Sequence, residues 1–188
     1  FDEKGGLTLL KGNLGQAIVK VSAVQDEHRV IKAPAKVFSD QLDVIDAFTN
    51  GELNHDVVVV LKGQGPKANG MPELHKLMPV LGSLQDHGFH VALLTDGRLS
   101  GASGKVLGAI RCVPEAAAGG MVNRIEDGDM IHIDAHTGHM NVLDVDLDGR
   151  ESKAQSHVQK GVGRELFSVF RKHVTSADKG AISIDWEE

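Results

Sequence analysis

The sequence predicts an α/β fold, a barrel-like or layered mixed β-sheet flanked by helices, and three observations carry that prediction. Ten or so short apolar runs separated by turn residues read as strands and outnumber the three or four helical stretches. In the first half, a strand, a glycine-rich loop, a helix and a second strand follow one another, which makes a parallel crossover unit. In the second half, strands joined by tight turns imply antiparallel pairing, so a pure doubly wound sheet is not expected.

Leu7 to Leu10, Ala17 to Val21, and Val30 with Ile31 before Pro34 read as the opening strands. Ser39 is placed to cap a helix whose Leu42, Ile45 and Phe48 share a face, with Gly51 just past its end. Val57 to Leu61 is a β-branched run suited to burial on both faces, and it feeds a first loop, Gly63 to Gly70. Pro72 then suits the first turn of a helix carrying Leu74, Leu77, Met78, Leu81 and Leu84 and ending at Gly88, with Pro79 expected to kink it. Phe89 to Leu94 is the next strand, followed by a second loop, Thr95 to Lys105. Met121 to Ile125, Met130 to Ala135 and Met140 to Val145 are expected as strands, turning at Asp127-Gly128 and Thr137-Gly138. A helix over Glu165 to Val174, with Leu166, Val169 and Phe170 on one face, and a strand over Ala181 to Ile184 close the chain.

Composition narrows the function classes. At 188 residues a single domain with a sizeable core is expected. No apolar run approaches the ~18 residues of a membrane span, so a soluble protein is expected. The formal net charge is −6, and Lys and Arg are scattered without a basic stripe, which argues against nucleic acid. One cysteine, Cys112, removes intrachain disulfides and any all-cysteine metal site built from this chain alone, and fits a reducing cytoplasm. The start at Phe1, with neither a basic segment nor an apolar stretch behind it, reads as a piece of a longer protein. The 22 glycines exceed the usual ~7%, and many gather in the two loops.

Gly63, Gly65 and Ala68 formally satisfy the dinucleotide-binding spacing, but Pro66, Gly70 and Pro72 keep a helix from opening inside the motif to face a pyrophosphate. What the loop can do is bring backbone close to a ligand and deliver Glu73. The plain alternative for Glu73 is a carboxylate favoured by a helix dipole. The second loop gathers Thr95, Asp96, Arg98, Ser100, Gly101, Ser103 and Lys105 after a strand; its glycines free N–H groups to converge on an anion while Arg98 and Lys105 add charge. A tight structural turn is its alternative. Neither the phosphate loop of nucleotidases nor the nucleophile elbow of hydrolases is present in it. His132, Asp134, His136 and His139 straddle a hairpin and read as solvated residues rather than a metal cluster.

At these loops GPKANGMPELHKLMP (65 to 79) and LLTDGRLSGASGKVLGAIRCVPEA (93 to 116) closely resemble the dehydratase family that joins dihydroxy-acid, phosphogluconate and sugar-acid dehydratases. LKGNLGQAIVKVSAV (10 to 24), HRVIKAPAKVF (28 to 38) and GVGRELFSVFR (161 to 171) agree, so the resemblance covers nearly the whole chain, 1 to 188, as the family's C-terminal domain. Ser103 and Lys105 resemble the phosphogluconate branch. The resemblance implies a barrel-like domain akin to the swivelling domain of aconitase-type enzymes. It implies removal of water from 6-phosphogluconate, with Ser100 as the base and Glu73 as a magnesium ligand. Thr95, Asp96, Arg98, Gly101, Ser103 and Lys105 are then candidates to hold a phosphosugar acid. It further implies an iron–sulfur cluster, of the 4Fe-4S type, carried by an N-terminal domain of the same enzyme, and a homodimer. Another sugar acid or dihydroxy acid as substrate, or a non-catalytic anion-binding barrel, are the competing expectations.

Overall fold

A computed structural model describes residues 5–100, 104–152 and 164–183. Eight strands close into a barrel: β1 (Leu7–Gly12), β2 (Gly15–Lys20), β3 (Val30–Phe38), β4 (Val57–Leu61), β5 (Val91–Thr95), β6 (Leu107–Val113), β7 (Met130–Asp134) and β8 (His139–Val142), in the ring order β1-β2-β6-β5-β4-β3-β7-β8. The β3–β4, β4–β5 and β5–β6 pairs are parallel, whereas β1–β2, β2–β6, β3–β7 and β7–β8 are antiparallel. The mixed barrel expected from the sequence is therefore the fold.

The valine run of β4 shows why the crossover forms. Val58 and Val60 point into the barrel with Leu10, Val19, Leu94 and Ile133, while Val57, Val59 and Leu61 point outward against Val44, Leu77, Leu81 and Leu84. The outward set is covered by α1 (Gln41–Thr49) and α2 (Leu77–Asp86), so every residue of β4 is buried, as a β-branched run of that kind requires.

Several elements depart from expectation. The α1 cap is Asp40, not Ser39: its carboxylate accepts the Leu42 N–H at 2.8 Å. Pro72 lies outside α2, which starts at Leu77, so Pro79 stands in the first turn, where its missing N–H has no partner to lose and no mid-helix kink arises. Pro34 does not end β3; the strand pairs with β7 up to Pro34 and with β4 from Ala35, and the proline sits where one ladder hands over to the other. Strand β6 was hidden in the sequence because Arg111, at φ 55°, is an extra residue that shifts its register against β2 and breaks the alternation. Met121–Arg124 is a 3-10 helix rather than a strand, with Val122 and Ile125 buried three residues apart. The helix expected over 165–174 is the shorter α3 (Ser168–His173), and Ala181 to Ser183 form no strand, with Ala181 at φ 51° in a turn that Thr175 closes onto Ile182; Ile184 lies outside the described residues. The turn at Gly138 and the β7–β8 hairpin are as expected.

Candidate functional site

Because β4 and β5 are parallel neighbours, the loops that leave their C-terminal ends emerge side by side. Asp96, immediately after β5, is fully buried and ties three segments together, accepting N–H groups from Gln64 at 2.8 Å, Ala116 at 3.0 Å and Gly63 at 3.1 Å. Burial pushes its carboxyl pKa above the ordinary value, and those N–H groups act against the rise. Glu115, also buried, accepts the Lys67 N–H at 3.0 Å and the Ala68 N–H at 3.4 Å. Its pKa is raised by burial first and by the charge of Asp96 in addition. Gly65 passes so close that a Cβ there would stand 2.2 Å from Glu115 Oε2. The glycines of the first loop thus serve close packing against a carboxylate, and no helix opens among Gly63, Gly65 and Ala68.

That packing fixes where Glu73 arrives. Glu73 forms a short parallel bridge with Arg98, and its Oε1 accepts the Ser100 N–H at 2.8 Å. The Arg98 guanidinium lies 3.5 Å from Glu73 Oε2, while Arg98 Nε donates to Met71 O at 2.7 Å. The two loops therefore bring Glu73, Arg98 and Ser100 into one cluster, across 27 residues of sequence in the case of Glu73 and Ser100. Thr95 is fully buried and accepts the Gly97 N–H at 2.9 Å, so Thr95 and Asp96 face the chain's own backbone inside the loop. Lys105 stands apart from the cluster and pairs with Asp86 at the end of α2. Lys105 and Ser100 nevertheless line one cavity of 490 Å³, together with His75, Ser83 and Asp86. Gly101 and Ser103 lie outside the described residues.

The sequence profile described as "Dihydroxy-acid/6-phosphogluconate dehydratase C-terminal" matches residues 1–181. The chain belongs to this family. It is 51% identical over 189 residues to a phosphogluconate dehydratase of Zymomonas mobilis, with 98% of this chain and 31% of that protein covered. It is 52% identical over 188 residues to one from Escherichia coli K12, again over 98% of this chain and 31% of the relative. A dihydroxy-acid dehydratase of Halothermothrix orenii is 36% identical over 189 residues, covering 97% of this chain and 33% of its own length. The chain thus spans about a third of the length of the curated relatives it matches. No helix among the described residues is long and apolar enough to cross a membrane.

The iron–sulfur cluster expected of the dehydratase family does not fit this chain's residues. Cys112 is the single cysteine, it is fully buried in the barrel, and burial first and Asp96 second push its thiol to about 12, far from the thiolate that a cluster needs. Magnesium fits better, though with one side chain: Glu73 is partly exposed, and magnesium commonly takes one or two carboxylates and completes its shell with water. Among the described residues no group of three His, Cys, Asp or Glu side chains gathers to hold a metal.

Sequence reasoning missed Glu115 as the tether of the first loop, and His75, Ser83 and Asp86 as walls of the cavity. The latter three had a signal. They recur at offsets of eight and eleven residues, a helical stripe beside the apolar stripe of Leu74, Leu77, Leu81 and Leu84. Glu115 had none, because nothing local to it announces a partner 47 residues away.

Proposed function

We propose that this chain is the C-terminal domain, spanning 1–188, of a hydro-lyase that converts 6-phosphogluconate to 2-dehydro-3-deoxy-6-phosphogluconate. The observation that carries the proposal is the bond from Ser100 N–H to Glu73 Oε1, which sets an expected base beside an expected metal ligand. The names of relatives at 51% and 52% identity support the substrate.

As an alkoxide, Ser100 Oγ takes the proton from the carbon beside the substrate's carboxylate, the hydroxyl of the next carbon departs and takes up a proton from solvent to leave as water, and the enol so formed rearranges to the ketone. A serine is a poor base unless positive charge favours its alkoxide, and Glu73 alone would oppose it. Arg98, at 3.5 Å from Glu73 Oε2, offsets part of that carboxylate's charge. Magnesium, when bound at Glu73, supplies further positive charge beside Ser100. Thr95 and Asp96 act on the substrate through the loop that they hold. Arg98, Lys105, the backbone N–H groups of Gly101 and Ser103 and the Ser103 hydroxyl gather its anionic groups. The 4Fe-4S cluster belongs to an N-terminal domain within the rest of the longer polypeptide, which works in the cytoplasm as a homodimer, without membrane or nucleic-acid partners.

The phosphate assignment is tested through Lys105. A charge-assisted hydrogen bond of about 1.5–3 kcal/mol is available to a phosphate and denied to the unphosphorylated acid. In the full-length enzyme, Lys105→Ala is expected to weaken kcat/KM for 6-phosphogluconate by roughly one to two powers of ten, the rate equivalent of that energy. Turnover of gluconate should be almost unchanged. Steady-state kinetics on both substrates decide it: an equal fall on both, or none on either, removes Lys105 from the phosphate site.

A further inference from the structure

The arginines of the chain divide into two groups. Arg29, Arg124 and Arg150 are paired with Asp26, Asp148 and Asp129 respectively. The others, Arg98, Arg111, Arg164 and Arg171, come from the second loop, β6 and the C-terminal segment, and they line two depressions of 420 and 360 Å³. The depressions share Pro66, Gly70, Val174 and Ala181, so they form one groove between the first loop and the C-terminal segment. Among the described residues no carboxylate lines this groove, and of its arginines only Arg98 is paired with one, Glu73. In a chain of net charge −6 this gathers positive charge in one place.

The arginines are held in place. Arg164 donates to Ala68 O at 3.0 Å and to Asn69 Oδ1 at 3.3 Å, and Arg171 donates to Arg164 O at 2.6 Å. Those acceptors are neutral, so both guanidinium charges persist and further N–H groups stay available. Arg111 is placed by its backbone, whose N–H donates to Gly97 O at 2.8 Å while φ stands at 55°, a value that long side chains rarely adopt. Met71 and Ala181, at 56° and 51°, line the same depression, so three of the four described non-glycine residues with positive φ meet there. Strain of this kind gathers at ligand clamps, where the fold gives up stability to aim a side chain. In the wall of the larger depression, Phe167 and Phe170 are half exposed, with ring centroids 5.9 Å apart.

We propose that this groove is a second binding site, which takes a phosphate ester with a flat, apolar body. Guanidinium forks match phosphate oxygens in pairs, and the two phenylalanine rings offer a surface to an aromatic body. The groove shares no lining residue with the cavity of Ser100 and Lys105. It adjoins the Glu73 cluster at Arg98, whose Nε donates to Met71 O. The proposal depends on no step of the reaction assigned to Ser100.

The test titrates phenyl phosphate into the full-length protein by calorimetry, with inorganic phosphate and phenol titrated beside it. The expected result is a single site per chain that binds phenyl phosphate several-fold more tightly than either part. Arg111→Asn, which suits a positive φ, and Arg171→Gln should each weaken binding about ten-fold or more, the loss of one charge-assisted hydrogen bond. Lys105→Ala should leave it unchanged. No binding at millimolar probe, equal affinity for inorganic phosphate, or full affinity in either arginine variant would overturn the proposal. Loss of binding in Lys105→Ala would also overturn it, by moving the probe to the cavity beside Ser100. Should a variant not fold, hydrogen exchange of the unaltered full-length protein decides. Phenyl phosphate should slow exchange at residues 69–71 and 168–174, and slowing elsewhere only, or none, would overturn the proposal.

Discussion

Glu73 binds its neighbours through both carboxylate oxygens, and its position is the residue-scale fact on which the site depends. Two other side chains give predictions at this scale. Cys112 is fully buried and its thiol is pushed up to about 12, so a thiol reagent should modify the folded protein no faster than global unfolding exposes it. Reaction at the rate of a free thiol in native buffer would contradict the burial. Asp129 receives two hydrogen bonds from Arg150, at 2.5 and 2.8 Å, and one from the Glu126 N–H at 2.8 Å. Burial alone would raise its pKa, but those bonds together hold it below the ordinary 3.8. The stabilisation is therefore complete above pH 3.8 and lost as pH falls through the lower folded-state value. Denaturant unfolding against pH should show that acid limb, and Asp129→Asn should flatten it; an unchanged limb would show that the ion pair adds nothing. At this scale Arg98 and Lys105 stood out in the sequence as cations in a glycine-rich loop after a strand, whereas Glu73 and Ser100 took their expected roles from the family resemblance. The sequence could not show that the oxygens of Thr95 and Asp96 turn inward, since their donors depend on the fold's long-range return.

At the scale of elements, legibility followed how local each element's cause is. The valine run of β4, the apolar stripe of α2 and the glycine turn between β7 and β8 each carry their cause within a few residues, and each was legible. Strand β6 was not, because its bulge at Arg111 answers to β2 and to Gly97 O, which accepts the Arg111 N–H at 2.8 Å. The 3-10 helix at Met121–Arg124 was misread for a similar reason: its place is set by Lys62, whose Nζ donates to Asn123 O at 2.9 Å from across the barrel mouth. The first loop gives the prediction at this scale. Gly65→Ala would press a Cβ onto the buried Glu115 carboxylate, so overpacking of about 1–3 kcal/mol is expected. A lower Tm with a loosened Glu73 loop, read by hydrogen exchange at Lys67 and Ala68, would bear this out. Wild-type stability would show that Glu115 yields without cost.

At the scale of the whole molecule, a closed mixed barrel sets two parallel strands side by side, and their loops meet at one end. The barrel was legible as a class from strand number and from the change between parallel and antiparallel halves, while its closure through the single β1–β8 bridge at Lys11 and His139 left no mark in sequence. One arc carries helices, and on the other the apolar side chains of Leu7, Ile18, Leu99 and Ile110 line a depression beside Ser100. The central claim is that Ser100 is the base of that site, held beside Glu73. The most direct measurement is the turnover of 6-phosphogluconate by full-length Ser100→Ala enzyme whose unfolding transition matches that of the wild type. Loss of a positioned base predicts a fall in kcat of about 10²–10⁴-fold. Turnover within a few-fold of the wild type would contradict the account and move the base to another part of the protein.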